Sequence, residues 1–122
     1  MIRTKRAYDS AEPTDGLRIL VDRLWPRGIS KADLEMDDWL KELAPSDDLR
    51  RWFGHKPERW DQFLARYFQE LDDKQAHWEP LFKKERTHAI TFLYAARDTE
   101  HNNAQALKLY LKSKMTSNSR TS

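Results

Sequence analysis

Three apolar runs stand out along an otherwise charged chain, and each one ends in a loop. Residues 2–7 alternate between wet and dry positions, with Lys and Arg on the wet side, which predicts a short strand. Asp9, Ser10, Pro13, Thr14, Asp15 and Gly16 then make a loop. Residues 17–21 are more apolar. Ile19, Leu20 and Val21 are consecutive, which predicts burial on both faces and a central place in a sheet. Residues 89–96 give a third strand, with Ile90, Phe92, Leu93 and Tyr94 as its bulk. The connection between the first two runs is too short for a helical crossover, so as neighbours they would be antiparallel. The long stretch between the second and third predicts a parallel pair joined by a right-handed crossover.

That intervening stretch changes period. Ser30 offers a helix cap with Asp33 three residues on, and Met36, Trp39, Leu40 and Leu43 follow at helical spacing until Ala44-Pro45. Ser46 caps a second, short helix whose first turn holds Asp47 and Asp48, and Gly54 stops it. Pro57 opens the longest helix, with a stripe of Trp60, Phe63, Leu64, Tyr67, Phe68 and Leu71. Helix resumes near Gln75 with Trp78, Leu81 and Phe82. Pro80 is expected to kink or interrupt it, and residues 83–87 read as a polar connector. A last helix carries Ala104, Leu107, Tyr110 and Leu111. The elements add up to an α/β fold: a small mixed, partly parallel sheet of about three strands packed with several helices. Residues 1–114 are expected to form one domain and residues 115–122, rich in Ser and Thr, a flexible tail.

Composition narrows the classes. The chain is 39% hydrophobic and 34% charged, but five Trp, five Phe and four Tyr argue against disorder and for an aromatic core. The absence of cysteine excludes disulfides and thiolate chemistry and fits a reducing compartment. The start is already charged and no apolar run approaches a membrane span, so a cytoplasmic protein without membrane contact is expected. With 22 basic and 20 acidic residues the net charge is +2, too small to mark a dedicated duplex-DNA binder.

The candidate chemistry lies in two loops, residues 22–28 and 96–103, which leave the second and third strands. Parallel pairing would bring both to one end of the sheet, where ligands sit in open α/β folds. Each precedes a helix, whose first N–H groups carry partial positive charge. With Arg23, Arg27 and Arg97 the pocket should favour an anion, because a guanidinium can bond two oxygens at once. Trp25 is the expected aromatic wall, Lys31 an added cation, and Asn102 a ligand contact or a cap. Asp98 and His101 are the candidates for proton transfer, Asp98 orienting the imidazole. Each has a plainer reading: an ion pair for Arg23, a core wedge for Trp25, a helix cap for Asp98, a first-turn surface residue for His101, and a solvated face for Arg50 and Arg51. His55, after Gly54, would complete a turn or swing into the pocket. No His spacing matches a metal motif, and neither a phosphate loop nor a dinucleotide fingerprint is present, so no metal and no cofactor are expected.

Val21-Asp22-Arg23-Leu24-Trp25-Pro26-Arg27-Gly28, then Lys31, Trp39-Leu40-Lys41, Leu43-Ala44-Pro45-Ser46, Leu49-Arg50, Trp52-Phe53, His55, Pro57 and Trp60 form a specific string. Together with residues 93–98, His101 and Asn102, it resembles the YeaO-like family of bacterial proteins of unknown function. The resemblance runs from Ile2 to about Leu111 and implies a small cytosolic α/β domain with no established activity. Family members usually carry His where this chain has Asn103. A wider set of related domains places cysteines around the equivalent strand end, where this chain has Ala96.

The expected function is binding of a small phosphate- or carboxylate-bearing ligand at the strand ends, with hydrolase or transferase chemistry left open. The alternatives are a nucleic-acid-binding accessory protein and a non-catalytic interaction module.

Overall fold

The structure, a computed structural model, describes the backbone of residues 1–121 and the side chains of residues 1–115. From residue 116 on, the expected tail lies outside the described side chains. Four strands form one sheet: β1 (Ile2–Arg6), β2 (Leu17–Leu20), β3 (Asp38–Trp39) and β4 (Ile90–Tyr94). Their spatial order is β1-β4-β2-β3 and every pair is parallel. Ile2 stands beside Ile90, and Leu17 stands beside it on the other flank.

The expected parallel pairing of the second and third apolar runs holds, and β2 is an interior strand as its unbroken apolar run requires. The mixed character does not hold. β1 and β2 are not neighbours, because β4 inserts between them. Residues 7–16 carry the chain back to the starting end of the sheet with only a 3-10 turn at Pro13–Asp15. An extended return suffices: ten residues can span roughly 33 Å, about twice the length of a five-residue strand. Arg3 and Lys5 hold this return against β1. Arg3 donates to the Thr14 carbonyl at 3.2 Å, and the Lys5 ammonium reaches Glu12 at 2.9 Å and Asp15 at 3.2 Å.

Alternation along the strands assigns two faces. Ile2, Ile19, Val21, Ile90, Phe92 and Tyr94 join the main core with the helices. Leu20 and Leu93 point the other way, into a smaller cluster with Ala7, Leu34, Trp25, Ile29, Met36 and Trp39. The main layer is built by α2 (Asp47–Phe53), α3 (Trp60–Asp72), α4 (Gln75–Thr87) and α5 (Asn103–Thr121). The lesser face is covered by α1 (Lys31–Leu34) and the loop before it.

The helix expected from Ser30 to Leu43 is the main departure. Ser30 does cap a helix, accepting from Asp33 N–H at 3.1 Å, but α1 stops after one turn at Glu35, which turns left-handed at φ 52°. Asp37 then takes both backbone groups of Arg18: its amide donates to the Arg18 carbonyl at 2.7 Å and its carboxylate accepts the Arg18 amide at 2.8 Å. The segment becomes edge strand β3, and Leu40 N–H donates to the Leu20 carbonyl at 2.9 Å. Helical spacing of Met36, Trp39 and Leu40 yields here to the unfilled hydrogen bonds of β2, which a strand can satisfy and a helix cannot. α4 departs less. It runs unbroken through Pro80 and takes in residues 83–87, so the polar connector is the exposed end of a helix.

Candidate functional site

The ends of β2 and β4 lie side by side, so the two loops meet. Between them and α2 opens a cleft of ≈ 360 Å³. The first loop forms one wall with Asp22, Arg23, Leu24, Trp25, Pro26 and Arg27. The second contributes Ala95, Ala96, His101, Asn102 and Asn103, and α2 with its exit turn adds Arg50, Phe53 and His55.

Neither wall is loose. In the first, Trp25 Nε1 donates to the Ile29 carbonyl at 2.7 Å and Trp39 Nε1 to the Asp22 carbonyl at 2.7 Å. The Tyr8 hydroxyl donates to the Arg27 carbonyl at 2.8 Å, and Arg23 Nε to the Pro45 carbonyl at 3.2 Å. Trp25 meets Trp39 edge-on at 5.5 Å. Trp25 is therefore both wall and wedge, one side in the lesser core and one side on the cleft.

In the second, Asp98 organises the turn. Its Oδ1 accepts from the amides of Glu100 at 2.9 Å and His101 at 3.0 Å, and its Oδ2 lies 3.0 Å from His101 Nδ1. These amide bonds, opposed by burial and aided by His101, hold the Asp98 carboxyl below its ordinary value. As an acceptor it fixes His101 with Nδ1 protonated, so the second ring nitrogen is left without a hydrogen-bond partner among the described residues. The Trp60 ring braces the imidazole edge-on at 5.3 Å. Asp98 thus closes the turn ahead of α5 and orients the imidazole at once; it does not cap the helix, which starts at Asn103. Buried Asn102 caps α5, its Oδ1 accepting from Gln105 N–H at 2.9 Å while its Nδ2 donates to the Asp98 carbonyl at 2.9 Å.

Arg23, Trp25, Arg27, His101 and Asn102 all reach the cleft. Lys31 and Arg97 do not: both are exposed and lie outside its lining. Arg50 supplies the cation that Arg97 was expected to give. It looked like part of a solvated helical face, and its spacing carries no sign that α2 turns one edge toward the strand ends. His55 reaches the lining from a left-handed backbone, φ 57°, directly after Gly54 at φ 53°. The sequence signal for it was the Gly-His step itself, because histidine tolerates this region better than bulky residues do.

Nothing in the chain's local pattern pointed to the links made by Asp22 and Asn103. Asp22 Oδ2 accepts the Ala95 amide at 2.9 Å, and Asn103 Nδ2 donates to the Val21 carbonyl at 2.8 Å. Burial pushes the Asp22 carboxyl above its ordinary value. The Ala95 amide, the Asn103 side chain and the charges of His55 and Arg50 offset this only in part. Among the described residues Asp22 is the one carboxylate in the lining, against Arg23, Arg27 and Arg50. Among the described residues, no three His, Asp or Glu side chains gather as metal ligands would.

A family model described as "Inactive DUF488-N3 subclade" matches residues 1–122. The chain belongs to this DUF488-N3i family. It is 43% identical over 112 residues to the uncharacterised protein YeaO of Escherichia coli, a match covering 92% of this chain and 97% of that one. It is 42% identical over 106 residues to the uncharacterised protein Rv3073c of Mycobacterium tuberculosis, covering 87% and 89% of the two chains. The expected resemblance to YeaO-like proteins is borne out over most of the chain. No solved structure matches. No described helix is long and apolar enough to cross a membrane.

Proposed function

We propose that this member of the DUF488-N3i family is a cytoplasmic protein whose cleft binds a small anion, a carboxylate or phosphate group, without turning it over. The observation that carries the reading is the convergence of Arg23, Arg27 and Arg50 on one cleft whose only acid among the described residues, Asp22, already serves as a hydrogen-bond acceptor for the cleft's own backbone. Guanidinium groups beside apolar walls attract an anion more strongly than they would in open water. The existing ion pairs offer little resistance. Arg23 and Arg50 lie 3.7 and 3.4 Å from Asp47, which is half exposed, and exposed pairs contribute only about 0–1 kcal/mol.

Absence of turnover follows from the groups on offer. There is no cysteine nucleophile, and Asp22 is held by its donors. His101 has one ring nitrogen without a partner among the described residues, and the described lining it shares holds no Ser, Thr, Cys or Lys. The family's description as inactive agrees with this.

The test is an amide-resolved NMR titration with inorganic phosphate and with acetate. Binding should shift the signals of residues 22–25, 27 and 101–103 together. R27A and R50A should each weaken it about tenfold, equivalent to about 1.4 kcal/mol. R97A should leave it unchanged. If neither anion moves these signals at tens of millimolar, or if R97A weakens binding as R27A does, the reading fails.

A further inference from the structure

The anion reading says nothing of what the ligand carries behind its charge, but the cleft wall does. Alongside the arginines the lining is apolar: Leu24, Trp25 and Pro26 come from the first loop, Phe53 from α2 and Phe63 from α3. A bare inorganic ion would leave these faces in contact with water. Leu24 is notable because it is 60% exposed, where the other described leucines, save Leu109, are buried or partly buried. With Trp25 and Pro26 it makes a contiguous apolar stretch of the lining, a face suited to covering an apolar body.

The head group is suggested by the protein's own side chains. One oxygen of Asp47, Oδ1, stands between Arg50 Nη2 at 3.4 Å and Arg23 Nε at 3.7 Å. These arginines come from different segments, the loop after β2 and helix α2, yet their spacing lets them share a single carboxylate. Both contacts are long, so Asp47 occupies the arginines loosely. A dianion would add repulsion from Asp22 and Asp47, and a monoanion keeps that smaller.

Building on the anion-binding reading, we propose that the cleft takes an organic monocarboxylate with an apolar body of about ring size, and that Asp47 competes with its head group for Arg23 and Arg50. The carboxylate sits between the two guanidiniums. The body lies against Leu24, Trp25 and Phe53. Entry of the ligand releases Asp47 to solvent.

The experiment compares benzoate, acetate, inorganic phosphate and neutral benzyl alcohol by NMR titration, on the wild type and on D47N, D48N and L24S. Asp48 is the matched control. It sits in the same helical turn with the same charge, but its partner at 2.8 Å is Arg51, which, unlike Arg23 and Arg50, does not line the cleft. Benzoate should bind at least tenfold more tightly than acetate or phosphate, and benzyl alcohol should not bind. D47N should tighten benzoate threefold or more, D48N should leave it within twofold, and L24S should weaken benzoate but not acetate. Acetate binding as tightly as benzoate overturns the apolar body while leaving the anion reading standing. Equal effects of D47N and D48N overturn the competition. Failure of every anion to bind removes the underlying reading, and this inference with it.

Discussion

Asn103 Nδ2 donates to the carbonyl of Val21 at 2.8 Å, joining residues 82 positions apart at the point where β2 ends and α5 begins. Asp22 answers in the opposite direction by accepting the Ala95 amide. The two bonds tie together the loops that the adjacent ends of β2 and β4 bring side by side.

Removing that tie should be measurable. D22A leaves the Ala95 amide facing an emptied, partly buried space, and a lost buried hydrogen bond of this kind costs about 1–3 kcal/mol. Urea unfolding should report that loss. The pH response has a definite sign. The folded Asp22 carboxyl lies above its unfolded value, so the folded state holds more protons between the two values. This group's contribution therefore declines as pH rises from about 3.9 through the folded value. In D22N that decline should vanish from the stability–pH curve.

Asp15 behaves in the opposite way. It is buried, as is Arg18, and the two pair at 2.6 Å on the lesser face of the sheet. Burial alone would raise the Asp15 carboxyl, but the Glu12 amide, Arg18 and Lys5 together outweigh it and the carboxyl lies below its ordinary value. Its stabilisation is complete above the unfolded value near 3.9 and is lost as pH falls through the lower folded value. Arg18 also caps α1, donating to the Leu34 carbonyl at 2.8 Å and the Glu35 carbonyl at 3.0 Å. D15N should cost about 3–5 kcal/mol, the penalty for breaking a buried pair. A denaturation midpoint within error of wild type would show the network to be dispensable.

Gly16 admits no side chain. Its φ is +66°, and a Cβ there would lie 2.2 Å from the Ala89 carbonyl oxygen. G16A should lose roughly 2–4 kcal/mol, combining left-handed strain with overpacking against backbone. Thermal unfolding followed by circular dichroism checks this. G28A, at φ +77° with open space around the new methyl, should show the strain alone and lose less.

Replacing Asp98 tests its two roles separately. D98A removes the turn's hydrogen bonds to the Glu100 and His101 amides, a loss of about 1 kcal/mol, and frees the His101 ring. D98N keeps an oxygen for the amides, so it should recover much of the stability. The His101 ring protons, shifted by the Trp60 ring beside them, should move toward ordinary values in D98A. Unchanged His101 signals would mean that Trp60 alone fixes the imidazole.

The sequence revealed what periodicity and strand endings can reveal. Ile19-Leu20-Val21 announced an interior strand, and the long helical stretch announced its parallel partner, so the meeting of the two loops followed. The all-parallel order was hidden, because nothing local says that the last strand inserts between the first two. β3 was hidden for a related reason: Asp38 and Trp39 lie on a helical repeat, and only the open edge of β2 makes them a strand. At the site, Arg23, Trp25, Arg27, His101 and Asn102 were legible because they sit on the strand-end loops. Arg50 and His55 arrive from a different layer, and Lys31 and Arg97 are nearby in sequence but point elsewhere.

The position of β4 between β1 and β2 also governs when the sheet can exist. Ile2 has no partner until Ile90 is made, and β2 gains only the two-residue β3 before then. During synthesis most of the chain therefore precedes the strand that completes its sheet. Contacts this distant in sequence slow folding, since their loop entropy must be overcome before they give any stabilisation. In the interval, the unpaired edges of the early strands are open to other chains. The positive charges of Arg3, Lys5 and Arg6 on β1 are suited to keeping such edges apart until residues 90–94 arrive.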